Sequence, residues 1–189
     1  LRGRRGGPYR ILRRIAVGGM SEVFEARAPG GERVVVKRLL PHLARTPDGL
    51  SAFAHEAALG ARLRDPNIVA ALDFGDDGGA PFLVLERVDG ASLQEVLESG
   101  SLPLEAVLAV ACDLLSALTH LHAATGEDGS PLAAVHRDIS PDNVLVDRAG
   151  HVKLADLGVA RSRLRSQRTR TGIVRGKAAY LSPEQITGS

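Results

Sequence analysis

The hydrophobic period of this chain changes once, and that change limits the folds open to it. Up to about Val88 the apolar residues fall in short runs broken by Gly and Pro: Tyr9 to Val17, Ser21 to Arg27, Glu32 to Leu40, Val69 to Phe74 and Pro81 to Val88. Runs of this length, separated by turn residues such as Pro29-Gly30-Gly31 and Asp76-Asp77-Gly78-Gly79, predict five antiparallel strands. One helical stretch interrupts them, roughly Asp48 to Arg64, where Leu50, Phe53, Ala57 and Ala61 recur at helical spacing before Pro66. After Gly90 the period is helical. Ser92 is placed to cap a short helix to Glu98, and Leu104, Val107, Leu108, Ala111, Leu114, Leu115, Leu118 and Leu121 trace one long amphipathic helix. Beyond the polar loop Thr125 to Pro131 come two short strands, Val144 to Val146 and His151 to Leu154. The order predicts an α+β chain with a β-rich first lobe, a boundary near Val88 to Gly90, and a mainly helical second lobe.

Composition narrows the function classes. With 44% hydrophobic and 24% charged residues, the 189-residue chain can bury a core, which argues against disorder. No uninterrupted apolar stretch approaches the ~18 residues of a spanning helix, so a cytoplasmic setting and no membrane segment are expected. Cys112 is the only cysteine, which rules out an intrachain disulfide, and its apolar neighbours predict a buried thiol. Two basic stretches, Arg2 to Arg14 and Arg161 to Lys177, contain no acid and read as solvated faces. Aromatics make up 3% and Trp is absent, so the stacking platforms of single-strand nucleic-acid binding are missing and no nucleic-acid partner is expected.

The chemistry concentrates in His136-Arg137-Asp138-Ile139-Ser140-Pro141-Asp142-Asn143, followed by Asp156-Leu157-Gly158. A carboxylate can receive a hydroxyl proton, while an amide oxygen and a second carboxylate are hard ligands suited to Mg²⁺ on a nucleotide's phosphates. Upstream, Val34-Val35-Val36-Lys37 places an ammonium among β-branched residues, where it needs an anionic partner, and Glu56 lies on the next predicted helix. Between the first two strands lies Ala16-Val17-Gly18-Gly19-Met20-Ser21-Glu22-Val23, which alone would be a hairpin turn.

Taken in order, these segments resemble a eukaryotic-type (Hanks-type) bacterial serine/threonine protein kinase, over about Tyr9 to Glu184. The resemblance implies a two-lobed kinase-like fold: a basic arm (residues 1–8), an N-lobe of five antiparallel strands and one major helix (9–88), and a partial C-lobe through the activation segment (89–189). It implies ATP and Mg²⁺ as cofactors. Ala16, Val17, Gly18, Gly19, Met20 and Ser21 would cover the phosphates, with Gly18 the one family glycine kept. Lys37, paired with Glu56, would hold the phosphates. Glu86 and Val88 would take the adenine edge beside Leu85, and Val23, Val35 and Leu145 would sandwich the ring. Asp138 would be the catalytic base, with Asn143 and Asp156 as metal ligands.

Two departures stand out. Ser140 replaces the lysine that the family carries two residues after the catalytic aspartate, and losing that cation would cost transition-state stabilisation. Lys177, in Gly176-Lys177-Ala178-Ala179-Tyr180-Leu181-Ser182-Pro183-Glu184, stands where the family has a threonine. The two groups have traded places, so Ser140 and Lys177 both join the catalytic candidates. Thr169 and Thr171 are the expected phosphosites, with kinase-domain self-association as a route to autophosphorylation and Arg137 placed to receive a phosphate. The expected activity is phosphoryl transfer from ATP to Ser or Thr hydroxyls of a protein substrate. The rival is a nucleotide-binding pseudokinase or scaffold. The chain is also expected to be a fragment, with apolar surface uncovered around Leu114 to Leu121 and weak activity by itself.

Overall fold

Strand pairing starts earlier than the apolar pattern predicts. The computed structural model describes residues 5–157 and 177–183, and its first element is a two-residue strand, β1 (Arg5–Gly6), within the stretch expected to be a basic arm. Gly7 adopts a positive φ of 61° at the first position of a Gly7-Pro8 turn, which folds β1 back on β2 (Tyr9–Val17). Periodicity cannot reveal a strand this short.

The expected five strands follow as β2, β3 (Ser21–Arg27), β4 (Arg33–Leu39), β5 (Ala71–Asp76) and β6 (Pro81–Glu86). With β1 they form one antiparallel sheet of six strands, in the order β1-β2-β3-β4-β6-β5. Alternation gives this sheet two faces. Ala26, Val34, Val36, Phe82 and Val84 form a core on one. The other packs Leu39, Ala71 and Leu83 against Phe53 and Ala57 of helix α1 (Pro47–Arg62). Helix α1 begins where the Thr46 hydroxyl accepts the Gly49 N–H at 3.2 Å, with Pro47 in the first turn, where its missing donor costs nothing. Its buried face carries Ala52, Phe53, Glu56, Ala57, Leu59 and Gly60, while Leu50 and Ala61, expected on that face, are exposed. Spacing alone could not fix the rotation, because alanines line much of the helix.

The smaller sheet contains β7 (Gly90–Ser92), β8 (Val144–Asp147) and β9 (Val152–Leu154), in that order. A Cβ on Gly90 would lie 1.9 Å from the Val146 carbonyl oxygen, so this pairing requires glycine. Ser92 caps α2 (Leu93–Ser99) with Glu95 in a reciprocal box, as the sequence predicts. Leu59 of α1 and Leu63 just past its end, Ala117 and Leu121 of α3 (Leu104–His122), and Val144, Val152, Leu154 and Leu157 share one core. Helix α1, packed on the large sheet through one core and on the small sheet through the other, therefore joins the two in addition to the Arg87-to-Asp89 link.

Helix α3 corrects two expectations. Leu104, Val107, Leu108 and Leu115 are exposed, whereas Leu121 is fully buried and Leu114 and Leu118 pack on the core, so the open face lies nearer the N-terminal end than expected. Cys112 is exposed rather than buried, because no described residue packs on that face. At 19 residues and a mean hydropathy of 1.6, α3 also reaches the length and composition of a membrane-crossing helix. Glu105 and Asp113 interrupt its apolar residues, which is why a search for an unbroken run passes over it.

Candidate active site

Lys37 is directly opposite Val23 on β3 and so points to the α1 face of the large sheet. There its Nζ donates to Glu56 Oε1 at 2.6 Å and also to Asp156 Oδ1. The Lys37 and Glu56 side chains are 9% and 4% exposed. Burial acts to lower the Lys37 pKa, but the charges of Asp156 and Glu56 outweigh it and hold the ammonium above its ordinary range. Lys37 is therefore a permanent cation at neutral pH.

The loop after α3 brings the other groups alongside. The Asp138 N–H donates to His136 Nδ1 at 3.3 Å, which fixes the tautomer so that His136 Nε2 donates to the Ala155 carbonyl at 3.1 Å. The Ala155 N–H in turn donates to the Asn143 carbonyl at 2.8 Å. His136 thus ties the loop carrying Asp138 to the residue before Asp156. Asn143 Nδ2 donates to the Asp138 backbone carbonyl at 2.6 Å and to its Oδ2 at 2.9 Å, leaving the Asn143 side-chain oxygen as the acceptor end of that amide. Arg137 (φ 62°) and Asp156 (φ 60°) adopt the left-handed conformation, one on each loop.

Ser140 lies in this loop with its hydroxyl buried and unpartnered among the described residues. Lys177 opens a 3-10 turn, Lys177–Tyr180, and its side chain lies outside the description. Gly158, Thr169, Thr171 and Glu184 also fall outside the described residues.

The expected phosphate cover forms the β2–β3 hairpin. Ala16 and Val17 end β2, Ser21 begins β3, and the turn Gly18-Gly19-Met20 is closed by the Gly18 N–H on the Ser21 carbonyl at 2.8 Å. Val23 and Val35 are half-buried on the face that carries Lys37, and Leu145 is half-buried on β8. Glu86 ends β6, and Val88 lies in the link to β7. The Glu86 carboxylate accepts from Lys153 Nζ and from the Ala70 N–H, both at 2.8 Å. The sequence reading missed this buttress, as it missed the coupling through His136. Lysine two residues before Ala155 was the available signal.

Asn143 and Asp156 provide hard oxygen donors. Among the described residues no group of three His, Cys, Asp or Glu converges on a metal position. That donor set fits Mg²⁺, which is commonly held by one or two protein oxygens together with phosphate and water.

Comparison with known proteins identifies the family. The family model described as "Protein kinase domain" matches residues 9–189. The chain is 42% identical to tyrosine-protein kinase MasK of Myxococcus xanthus, over 96% of this chain and 30% of MasK. It is 39% identical to serine/threonine-protein kinase PknL of Mycobacterium tuberculosis, over 94% of this chain and 43% of PknL. The chain therefore spans less than half the length of either relative. It also superposes on the crystal structure of the Mycobacterium tuberculosis PknI kinase domain with a TM-score of 0.67 and 28% identity, covering 83% of this chain and 62% of that one.

Proposed function

The chain belongs to the protein kinase domain family, and from that premise we propose that it forms the ATP- and Mg²⁺-binding part of a protein serine/threonine kinase. The observation that carries the reading is Lys37, buried between Glu56 and Asp156, beside a loop that fixes Asp138 against Asn143. In this reading residues 9–88 act as the N-lobe and 89–189 as part of the C-lobe, with the nucleotide received between them.

Bound Mg·ATP supplies the transferable phosphoryl group and charge that offsets its oxygens. The chain's own groups do the positioning. Lys37, already held by two carboxylates, presents its ammonium to the phosphates without further ordering cost. Asn143 and Asp156 hold the cation, and the β2–β3 hairpin from Ala16 to Ser21 excludes water above it. Val23, Val35 and Leu145 pack the purine, and the backbone of Glu86 and Val88 takes its polar edge. Asp138 receives the proton of the acceptor hydroxyl.

Lys177 supplies the ammonium that Ser140 lacks, and the Ser140 hydroxyl, buried in the Asp138 loop and unpartnered among the described residues, supports the exchange. In the full-length protein Lys177→Ala is expected to lower turnover about 10²-fold. An unchanged rate would show the exchange to be coincidental. Autophosphorylation between domains at Thr169 and Thr171, at a cytoplasmic site, belongs to the same reading, and mass spectrometry finding both unmodified in active protein would remove that part.

The decisive experiment incubates full-length protein with labelled Mg·ATP and Ser, Thr and Tyr acceptors. Transfer to Ser or Thr that is lost in Asp138→Asn supports the proposal. The name of MasK favours a second reading, a phenolic acceptor, which transfer to Tyr alone would select. Nucleotide binding without any transfer would identify a pseudokinase.

A further inference from the structure

Glu25 carries a charge that the reaction does not use. It lies on β3 two residues from Val23 and directly opposite Val35, so it shares the sheet face assigned to the nucleotide. Its side chain is 3% exposed, and three guanidinium groups reach it: Arg13 Nε at 2.7 Å, Arg33 Nη1 at 2.6 Å and Arg87 Nε at 3.2 Å. Arg13 and Arg33 already satisfy one oxygen each. Arg87 is the additional partner, and it is the one that does not come from the sheet.

Arg87 follows Glu86, the last residue of β6, which pairs with Val34 at the start of β4. The link between the sheets therefore runs past Arg33 and Glu25. Glu86 is held by Lys153 and the Ala70 N–H, while its own N–H donates to the Ala70 carbonyl at 2.9 Å. The next side chain, Arg87, is held by Glu25 and by Asp89 Oδ1 at 3.1 Å. Asp89 is engaged in turn by Arg148 Nε at 3.2 Å, from the β8–β9 turn. Two consecutive residues are thus anchored to separate sets of partners, which fixes the peptide plane between them.

We propose that Glu25 is a positioning residue for nucleotide recognition, acting through Arg87 to hold the backbone of Glu86 to Val88 in the shape that receives the adenine edge. The proposal rests on the reading of that segment as the nucleotide hinge. Glu25 does not touch the nucleotide. It spares the ligand the cost of ordering the segment.

The test measures Mg·ATP and non-hydrolysable analogue affinity by calorimetry, and hydrogen exchange at residues 86–88, in the full-length protein. Arg87→Gln and Glu25→Gln are each expected to weaken affinity about three- to tenfold and to speed exchange in the hinge. The double variant should be no weaker than the worse single. Arg13→Gln removes a Glu25 partner without touching the hinge and should stay within about twofold of wild type. If Glu25→Gln misfolds, Arg87→Gln decides alone. Unchanged affinity in Arg87→Gln, or equal weakening in Arg13→Gln, overturns the proposal while leaving the kinase reading intact. Wild-type protein that binds no nucleotide overturns the kinase reading first, and this inference with it.

Discussion

Two ion clusters on one sheet face are built with opposite signs. In one, Lys37 lies between Glu56 and Asp156; in the other, Glu25 lies among Arg13, Arg33 and Arg87. The first carries one surplus negative charge and the second two surplus positive ones. Burial differs as sharply. Both central groups are buried, but Lys37 and Glu56 are nearly sealed together and only Asp156 reaches water, whereas Glu25 is ringed by Arg13 and Arg33, which remain more than half exposed and keep hydrated faces. A sealed cluster with surplus negative charge favours an incoming divalent cation. A hydrated cluster with surplus positive charge is already satisfied by water and needs no ligand. Similar pairwise chemistry therefore suits the first cluster to the proposed reaction centre and the second to the proposed brace.

The comparison can be broken in several ways. Lys37→Met should have the largest effect, lowering phosphoryl transfer about 10²- to 10³-fold in a single-turnover assay; a loss under tenfold would mean the sealed cluster is not the centre. Glu56→Gln should next cost about 2 to 3 kcal/mol in urea unfolding, because it leaves a sealed ammonium with one carboxylate. Glu25→Gln should cost less, since its guanidinium groups retain water and the amide that replaces the carboxylate can still accept from them. Equal costs would erase the distinction.

Acid sharpens the contrast. Hydrogen bonds from Arg33 and then Arg13 lower the Glu25 pKa from 4.5 to about 2. A folded-state pKa below the unfolded one gives stability that is complete above about pH 4.5 and is lost as pH falls toward 2. Glu25→Gln should therefore flatten the stability curve across that window, measured by urea midpoints at successive pH values. The smallest effect belongs to the outermost pair. Arg148 and Asp89 are 82% and 60% exposed, so Arg148→Gln should change Mg·ATP affinity by less than about twofold.

Much of this arrangement is legible without coordinates. The five principal strands, the Ser92 cap and the positions of Lys37, Glu56 and Asp156 follow from period, cap chemistry and motif order, because each is a local signal. What was missed depends on side-chain direction. Leu50 and Phe53 satisfy helical spacing equally well, yet only Phe53 enters the core. Glu25 reads as an ordinary strand carboxylate until the register sets Arg13 opposite it and the chain returns at Arg87. Cys112 has apolar neighbours along the sequence, but no described residue packs on its face of the helix. The Ser140 hydroxyl likewise becomes informative only when it is seen to be buried without a partner among the described residues.

The left-handed backbone at Arg137 and Asp156 bears on the order in which the molecule assembles. Such residues cost roughly 1–3 kcal/mol each and persist only where surrounding contacts over-determine them. Asp156 is held by Lys37 from 119 residues earlier in the chain, and the His136 bridge joins the two loops. These holds can exist only once the large sheet and α1 have docked, which predicts that they form late in folding. Replacing Lys37 should therefore leave the refolding rate nearly unchanged and quicken unfolding, as stopped-flow mixing in urea would read directly.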